Sequence, residues 1–352
     1  MTILFAIILF SFLIFIHELG HFAAAKLSGV QVNEFSLFMG PAIWKKQRGE
    51  TLYAIRTIPI GGYCAMEGED GDSDNPRAFG KAAWWKRLII LVAGAAMNFV
   101  AGVLIMLLVY LPVQQVVVPV IDSFEPFSTV DGPGGLQPGD RILEVDGEKL
   151  YVHGDFSMLM MLNESRYHDL VVERDGQRVV LDDFLMEKHE VTDETGTRML
   201  YGMNFTIEDL GLPGKLRYAW NQSLDTVRMV RISLQMLLSG EAGFQDMTGP
   251  VGIVQQMSTV AEESASWVDA LINMLYFGGF IAINLAVMNL LPIPALDGGR
   301  VVGLLITTVV EAVTRKKIDP RIEGYLHGAG MILLLGLMAL VMFKDIIFLF
   351  KG

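Results

Sequence analysis

Four long apolar stretches dominate the pattern of hydrophobic and polar positions along this chain. They cover roughly residues 3–25, 88–111, 270–291 and 329–350, and each is long enough to cross the hydrocarbon core of a bilayer as a helix. A shorter apolar segment at 300–313 follows a pair of glycines and predicts a partial or interfacial helix. The pattern therefore predicts a polytopic α-helical membrane protein with about four transmembrane helices.

Between these stretches the pattern changes to the short runs and tight turns typical of β-structure. Residues 32–38 and 51–58 flank a basic turn and predict a β-hairpin. From about 114 to 192, β-branched runs alternate with glycine-rich turns and predict a small β-domain, and the apolar spacing over 218–238 predicts an amphipathic helix after it. The predicted parts are an N-terminal membrane part, the β-domain, a connecting segment and a C-terminal membrane part, at residues 1–112, 113–192, 193–268 and 269–352.

The charges are spread unevenly over the 352 residues, of which 52% are hydrophobic. The formal net charge is −12, and residues 113–268 alone hold 25 acidic and 11 basic side chains. Lys and Arg concentrate in the loops at 26–87 and 315–321, which the positive-inside rule assigns to the cytoplasm. Both termini and the β-domain are then expected on the extracytoplasmic side. No basic stripe with interleaved aromatic residues is present, so nucleic acid is not an expected partner.

The first apolar stretch is interrupted by a polar cluster, His17-Glu18-Leu19-Gly20-His21. Residues four apart on a helix project from one face, so both imidazoles can bind one metal ion while Glu18 reaches a water molecule on that ion. Ionisable side chains are costly inside a bilayer, which makes each of them a functional candidate. The alternatives are a polar patch satisfied by neighbouring helices and a pair of haem-ligating histidines.

A catalytic zinc site needs a third protein ligand, and two residues compete for that role. Asp297 lies in the segment 289–298, whose two prolines end the third apolar helix. Irregular backbone at membrane depth is tolerated only where protein or water lines it, so a metal is a suitable partner for this aspartate. His327, at the cytoplasmic start of the last helix, is the rival ligand, and Asp297 could instead simply cap the next helix. At about 1.5 Å per residue, His17 lies about 21 Å from the outer end of its helix, in the cytoplasmic third of the bilayer.

Several motifs carry a family resemblance over nearly the whole chain. His17-Glu18-Leu19-Gly20-His21 together with Asn289-x-x-Pro292-x-Pro294-x-x-Asp297-Gly298 resembles the paired motifs of the site-2 protease family, the intramembrane zinc metalloproteases. Gly94-x-x-x-Asn98 is similar to that family's second-helix motif, although Ala95 stands where the family has a proline. Gly61-Gly62-Tyr63 resembles its membrane-associated β-hairpin and edge strand, and Gly134–Gly147 resembles a PDZ domain. The chain thus resembles the bacterial regulator-of-sigma-E type, with room for a single PDZ domain.

The resemblance implies cleavage of transmembrane segments of membrane proteins, or of signal-peptide remnants, in regulated intramembrane proteolysis. Zn²⁺ is the implied cofactor, and Glu18 is the implied catalytic base. The implied metal ligands are His17, His21 and Asp297. The implied substrate-binding residues are Asn289, Asn98, Gly61 and Gly62. The PDZ-like domain is expected to bind peptides or to exclude bulky substrates, and the protein is expected to span the bacterial inner membrane, with lipid and transmembrane substrates as partners.

Two other functions are compatible with parts of this pattern. A catalytically inactive membrane PDZ adaptor could retain the metal site, but such a site has no need of a base at Glu18. A metal transporter would require a second His or Asp cluster along a path, and none is visible in the four apolar stretches. The sequence therefore favours a protease, with the inactive adaptor as the alternative function.

Overall fold

A computed structural model describes residues 2–69, 71, 73–132, 134–163, 165–193, 196–315 and 320–351. Lys316 and Lys317 of the last basic loop therefore lie outside the described residues. The chain divides into two compact units. The first, which we call the membrane unit, contains Met1–Met106 and Thr226–Gly352, and the second, the β-unit, contains Leu107–Asp225.

Long helices account for most of the membrane unit. In chain order the helices of the described residues are α1 (Thr2–Ser28), α2 (Trp84–Tyr110), α3 (Gly154–Leu162), α4 (Leu212–Ser239), α5 (Pro250–Glu263), α6 (Trp267–Asn289), α7 (Asp297–Thr314) and α8 (Pro320–Lys351). Four of them are long and apolar enough to cross a membrane, namely α1, α2, α6 and the Gly324–Ile347 part of α8. The four predicted spans are confirmed at this level, and the segment at 300–313 forms most of α7.

The predicted hairpin is longer than the sequence indicated and curls on itself. Its strands are β1 (Val32–Arg48) and β2 (Thr51–Met66), and the first half of β1 pairs on both sides. Ser36, for example, lies opposite Tyr63 on one side and Ala54 on the other. The end of β2, residues 62–66, is therefore an edge, and no further strand pairs with it among the residues that the structure describes.

The turn of this hairpin is tied to the end of α1. The Lys26 ammonium lies 2.7 Å from Glu50 Oε1, and the Arg77 guanidinium donates two hydrogen bonds to the same carboxylate. Hydrogen bonds from Arg77 and Lys26 lower the pKa of Glu50 to about 2. The carboxylate is therefore charged at neutral pH and joins three segments of chain beside the helix that carries His17.

Glycines let α1 approach two other helices closely. A Cβ at Gly20 would overlap the carbonyl oxygen of Ala93 on α2, and a Cβ at Gly278 on α6 would lie 2.9 Å from Leu9 Cδ1. Small residues at such crossings allow backbone-to-backbone packing inside a membrane. α1 consequently packs closely against α2 beside the polar cluster and against α6 at Leu9.

One mainly antiparallel sheet forms the core of the β-unit. Its strands are β3 (Gln115–Phe124), β4 (Arg141–Val145), β5 (Glu148–Lys149), β6 (Tyr167–Arg174), β7 (Gln177–Leu185) and β10 (Met203–Asp209), and a separate pair is formed by β8 (His189–Asp193) and β9 (Gly196–Leu200). The order is β10-β3-β4-β6-β7, with β5 beside β4. Ile121, Ile142 and Leu170 from three adjacent strands are almost fully buried, as expected for the core face of a sheet.

The sheet extends beyond residue 192, where the sequence analysis ended the β-domain. β10 pairs with β3, from Met203 opposite Phe124 to Asp209 opposite Gln115. Its sequence, Met-Asn-Phe-Thr-Ile-Glu-Asp, is short and half polar, so its alternation is weak as a sequence signal. β10 is therefore stabilised by pairing with β3, a strand that is distant from it in sequence.

Candidate metal centre

The spacing on α1 brings the two imidazoles together as expected for residues four apart. His17 Nε2 lies 3.2 Å from His21 Nε2, and the ring centroids are 4.8 Å apart. Both rings are largely shielded from solvent, with side-chain exposures of 14% and 10%. Two nitrogen atoms therefore face one small volume inside the helix bundle.

A hydrogen bond to α2 fixes the orientation and proton position of His21. Its Nδ1 lies 2.8 Å from the carbonyl oxygen of Ile90. A carbonyl can only accept, so Nδ1 carries the proton and Nε2 of the neutral ring presents a lone pair. This arrangement, with the far ring nitrogen donating to a backbone carbonyl, is typical of histidines that bind metals.

The third group of the cluster comes from the start of α7. Asp297 Oδ2 lies 3.3 Å from Nε2 of His17 and 3.3 Å from Nε2 of His21. Glycine is required at the next position, because a Cβ at Gly298 would overlap the carbonyl oxygen of Leu290. The loop after α6 thus folds tightly under the first turn of α7 and directs the carboxylate toward α1.

The chemistry of these three groups fits a divalent cation. Their ligand atoms all lie within 4.8 Å of one another, and this is the one such group found among the described residues. Asp297 Oδ2 is buried and accepts no hydrogen bond. A buried carboxylate oxygen facing imidazole lone pairs is unfavourable without a cation, and two nitrogens with one oxygen suit zinc.

Gly94 on α2 lies directly against the imidazole rings of this cluster. A Cβ at this position would overlap His21 Nε2 and would lie 2.8 Å from His17 Cε1. Any larger residue would therefore occupy the volume into which the rings project. Glycine at the first position of the Gly94-x-x-x-Asn98 motif is therefore required for steric reasons.

The two asparagines predicted to bind substrate both lie beside His17. Nδ2 of Asn98 and Nδ2 of Asn289 are each 3.4 Å from His17 Nδ1. Asn98 is almost completely buried, and its Oδ1 has no hydrogen-bond partner. Both amides therefore contact Nδ1 of His17, the ring nitrogen that faces away from His21 and Asp297. The sequence motifs did not reveal this position.

The edge of the hairpin runs past Glu18. A Cβ at Gly62 would lie 3.1 Å from Glu18 Cγ and 3.0 Å from the carbonyl oxygen of Ser36. Gly61 has a φ of 70°, in the left-handed region that favours glycine. The two glycines thus let residues 62–66 approach the Glu18 carboxylate, which lies next to the cluster of His17, His21 and Asp297.

His327, the rival ligand, has a different partner. Its Nδ1 accepts a hydrogen bond of 3.0 Å from the backbone N–H of Ala295, whose φ is 86°. A Cβ at Gly330, one turn further along α8, would lie 2.5 Å from Pro294 Cβ. This face of α8 therefore supports the irregular loop that leads to Asp297, a role that the sequence did not indicate.

An ion pair also missed by the sequence analysis links the hairpin to α7. The Arg300 guanidinium contacts the Glu69 carboxylate, and Glu69 also accepts a hydrogen bond of 3.3 Å from the N–H of Met66. Arg300 lies one turn after Asp297 on the same helix. The contact therefore joins the end of the edge strand to the helix that carries the third ligand candidate.

Comparisons with known proteins reveal a family and several relatives of this chain. Residues 5–337 match the family described as peptidase family M50. A protein of Clostridium perfringens named "Putative zinc metalloprotease" is 33% identical over 353 residues, covering 99% of both chains, and one of Fusobacterium nucleatum with the same description is 32% identical over 368 residues, covering 100% of both. The regulator of sigma-W protease RasP of Bacillus subtilis is 26% identical over 432 residues, covering 98% of both.

These matches span the helices and loops that form the cluster. They confirm the resemblance inferred from the motifs and the expectation of Zn²⁺ as cofactor. Together with the four apolar helices, they identify a multi-pass membrane metalloprotease. The chain belongs to peptidase family M50, the site-2 protease family of zinc metalloproteases.

Proposed function

We propose that this protein is an intramembrane endopeptidase that cleaves the transmembrane segments of other membrane proteins or signal-peptide remnants. The observation that carries the proposal is the location of the cluster formed by His17, His21 and Asp297. Two of its residues lie within α1 and the third follows α6, and both helices are long and apolar enough to span a membrane. A substrate that reaches this cluster must itself enter the region of the bilayer.

The proposed zinc ligands are His17, His21 and Asp297. A zinc ion held by these residues would lower the pKa of a coordinated water molecule and would polarise the scissile carbonyl. Glu18 is the proposed base, and its carboxylate accepts the proton from the attacking water and delivers it to the leaving amide nitrogen. Its sequence position next to His17 supports this role, because adjacent residues on a helix lie on neighbouring faces of the same turn.

Asn98 and Asn289 are proposed to hold the ring of His17. A histidine that binds metal through Nε2 carries its proton on Nδ1 and needs an acceptor there. The unpaired Oδ1 of Asn98 can supply it after a half-turn of the amide, which exchanges the oxygen and nitrogen positions. The substrate-binding role expected for both asparagines stays a prediction, and the 3.4 Å contacts favour support of His17.

The substrate is proposed to bind as an added strand along residues 62–66. A helical substrate hides its scissile bond within the intrahelical hydrogen bonds, so it must unwind locally before it can be cut. The unwound backbone then needs new partners, which a free strand edge supplies. Support comes from the edge of β2, which has no further strand partner among the described residues, and from the closeness of Gly62 to Glu18.

The β-unit is proposed to be a PDZ-like domain on the extracytoplasmic side, where both termini would also lie. The observations in favour are its antiparallel sheet with the short helix α3 and the concentration of Lys and Arg in the loop at 26–87. It would capture peptides or exclude substrates with bulky external parts. The metal and base candidates are all in the membrane unit, so the β-unit would govern access and not chemistry.

Reconstitution with a defined substrate tests this function. Purified protein in proteoliposomes is incubated with a single-span substrate whose transmembrane segment carries a central Gly, and products are mapped by mass spectrometry. Because the name of RasP refers to sigma-W regulation, a membrane-bound sigma-factor regulator is a suitable first substrate. We expect cleavage within the span by the wild type, and no cleavage by Glu18→Gln at equal zinc content.

Three outcomes would contradict the proposal. Cleavage only in extramembrane parts of the substrate would indicate a protease of a different type. Equal cleavage by the wild type and Glu18→Gln would remove the proposed base. Binding of the substrate without any cleavage, in a zinc-loaded sample, would favour the inactive adaptor.

A further inference from the structure

Residues 62–66 of β2 direct their backbone N–H groups alternately toward β1 and toward the opposite edge. The N–H of Glu67, the next residue, donates a hydrogen bond of 3.0 Å to the carbonyl oxygen of Gln31, on the side of β1. Because successive N–H groups of a strand point in opposite directions, the N–H of Met66 faces the other side. That side is the edge on which β2 has no further strand partner among the described residues.

A side chain of the chain itself already accepts the Met66 N–H at this edge. The N–H donates a hydrogen bond of 3.3 Å to Oε2 of Glu69, and the other carboxylate oxygen, Oε1, contacts the guanidinium of Arg300 on α7. The side chains of Glu69 and Arg300 are only 15% and 25% exposed. A largely buried carboxylate is costly unless it is paired, so the ion pair stabilises the acceptor at the end of the edge.

Apolar packing joins the same two segments. Met66 belongs to a buried apolar cluster that also contains Leu304 of α7, and Val301 packs against this cluster. Arg300 directly precedes Val301 on the helix that begins at Asp297. The acceptor of the Met66 N–H is therefore held in place relative to the helix that carries the third ligand candidate.

These contacts limit how far an added strand can pair with the edge. Gly62 and Cys64 point the same way as Met66, so their outward backbone groups can bind a substrate strand. The Glu69 carboxylate occupies the position that a substrate carbonyl oxygen would take at Met66, and two such oxygens repel each other. Since a strand rises about 3.3 Å per residue, the ladder has to end within about 13 Å of Gly62.

We propose that Glu69, held by Arg300, is a stop that sets the register of the substrate strand and so selects which peptide bond reaches the candidate metal centre. The inference rests on the proposed function, because it assumes that the substrate pairs with residues 62–66. Both are positioning residues, and neither touches the scissile bond. A strand can slip by two residues without turning its other face to the enzyme, and loss of the stop permits that slip toward Met66.

Mapping of the cut position tests the stop. The single-span substrate in proteoliposomes is cleaved by the wild type, Glu69→Ala and Glu67→Ala, and the products are identified by mass spectrometry. Glu67 is the matched control, because its carboxylate accepts hydrogen bonds from Asn33 and Ser73 instead. At equal zinc content, we expect Glu69→Ala to raise several-fold the proportion of product cut two residues from the main site. Glu67→Ala should keep the wild-type pattern.

Variants of Arg300 test the second half of the stop. Arg300→Gln leaves the Glu69 carboxylate without its cation, so the same additional cut should appear in a smaller proportion. Arg300→Lys retains a cation and should show the wild-type pattern. A wild-type pattern in Arg300→Gln would remove Arg300 from the proposal, and this variant also carries the test if Glu69→Ala loses its zinc.

Failure of the stop and failure of the proposed function give different results. An unchanged cut position in Glu69→Ala at wild-type zinc content would overturn the stop, whether or not the rate falls, because a residue that only supports the fold changes the rate alone. Absence of any cleavage within the span by the wild type would contradict the proposed function instead.

Discussion

Replacement of Gly94 by alanine tests the packing that brings the two histidines together. Gly94 is buried on α2, and a Cβ there would overlap His21 Nε2, lie 2.7 Å from His21 Cδ2 and lie 2.8 Å from His17 Cε1. Ordinary contacts begin at 3.4 Å. The His17 ring would thus have to retreat by about 0.6 Å, and the His21 ring by more.

The magnitude follows from how little room the rings have. α1 cannot easily move away from α2, because Gly20 already packs against the Ala93 carbonyl. Overpacking a buried site costs about 1–3 kcal/mol, and metal ligands tolerate displacements of only about 0.2 Å. If that strain falls on the metal-bound state, the Kd for zinc should rise about 5- to 150-fold, since about 1.4 kcal/mol is a factor of ten.

Zinc affinity measured by equilibrium dialysis against a series of chelator concentrations, with metal analysis by mass spectrometry, checks this result. The matched control is Gly102→Ala, a buried position on the same helix where a Cβ would lie 2.5 Å from Ile283 Cγ1. It should lower the Tm but leave zinc affinity unchanged, because it lies about 12 Å along the helix from Gly94. Wild-type zinc affinity in Gly94→Ala, or equal losses in both variants, would show that Gly94 does not set the spacing of the two imidazoles.

Three further predictions address the third ligand, the edge strand and the substrate. Asp297→Asn should lose zinc. His327→Ala should retain zinc with a modest loss of affinity, because the backbone N–H of Ala295 loses its acceptor in the loop before Asp297; metal analysis showing the reverse would make His327 the ligand. Gly62→Ala should retain zinc but lower kcat, since its Cβ presses on Glu18, and an unchanged kcat in the proteoliposome assay would argue against that contact. Replacing a Gly near the cut site of the substrate with Leu should slow cleavage several-fold, because Gly costs about 1 kcal/mol in a helix interior; rates independent of substrate helicity would exclude unwinding as a limiting step.

The sequence alone could predict the parts of the site that depend on local periodicity. The proximity of His17 and His21 follows from helix geometry, and the four membrane spans follow from length and apolarity. Asp297 is distant from both histidines in sequence, and the residues alone left His327 as an alternative. The irregular backbone around Asp297 already made a metal a suitable partner for it, and the pairing of the two family motifs then favoured it over His327, because long-range contacts leave no periodic signal in a single chain.

The features that the sequence did not reveal all depend on contacts between distant segments. The double pairing of β1 could not be inferred, since strand alternation specifies which face is buried and not which partners lie on either side. The support of the Ala295 loop by His327 and the strand β10 depend on tertiary packing in the same way. Gly94 was recognised as part of a motif, but its steric role required the positions of both imidazole rings.

X-ray absorption at the zinc edge measures the ligand set of the bound zinc directly. We expect only nitrogen and oxygen ligands, at about 2.0–2.2 Å, with the multiple-scattering signature of two imidazoles. We also expect no such signal above background in a sample of the variant His17→Ala/His21→Ala. A sulfur contribution at about 2.3 Å would implicate Cys64, the only cysteine, and a one-imidazole spectrum would remove a histidine from the site; either result would contradict a zinc centre built from His17, His21 and Asp297.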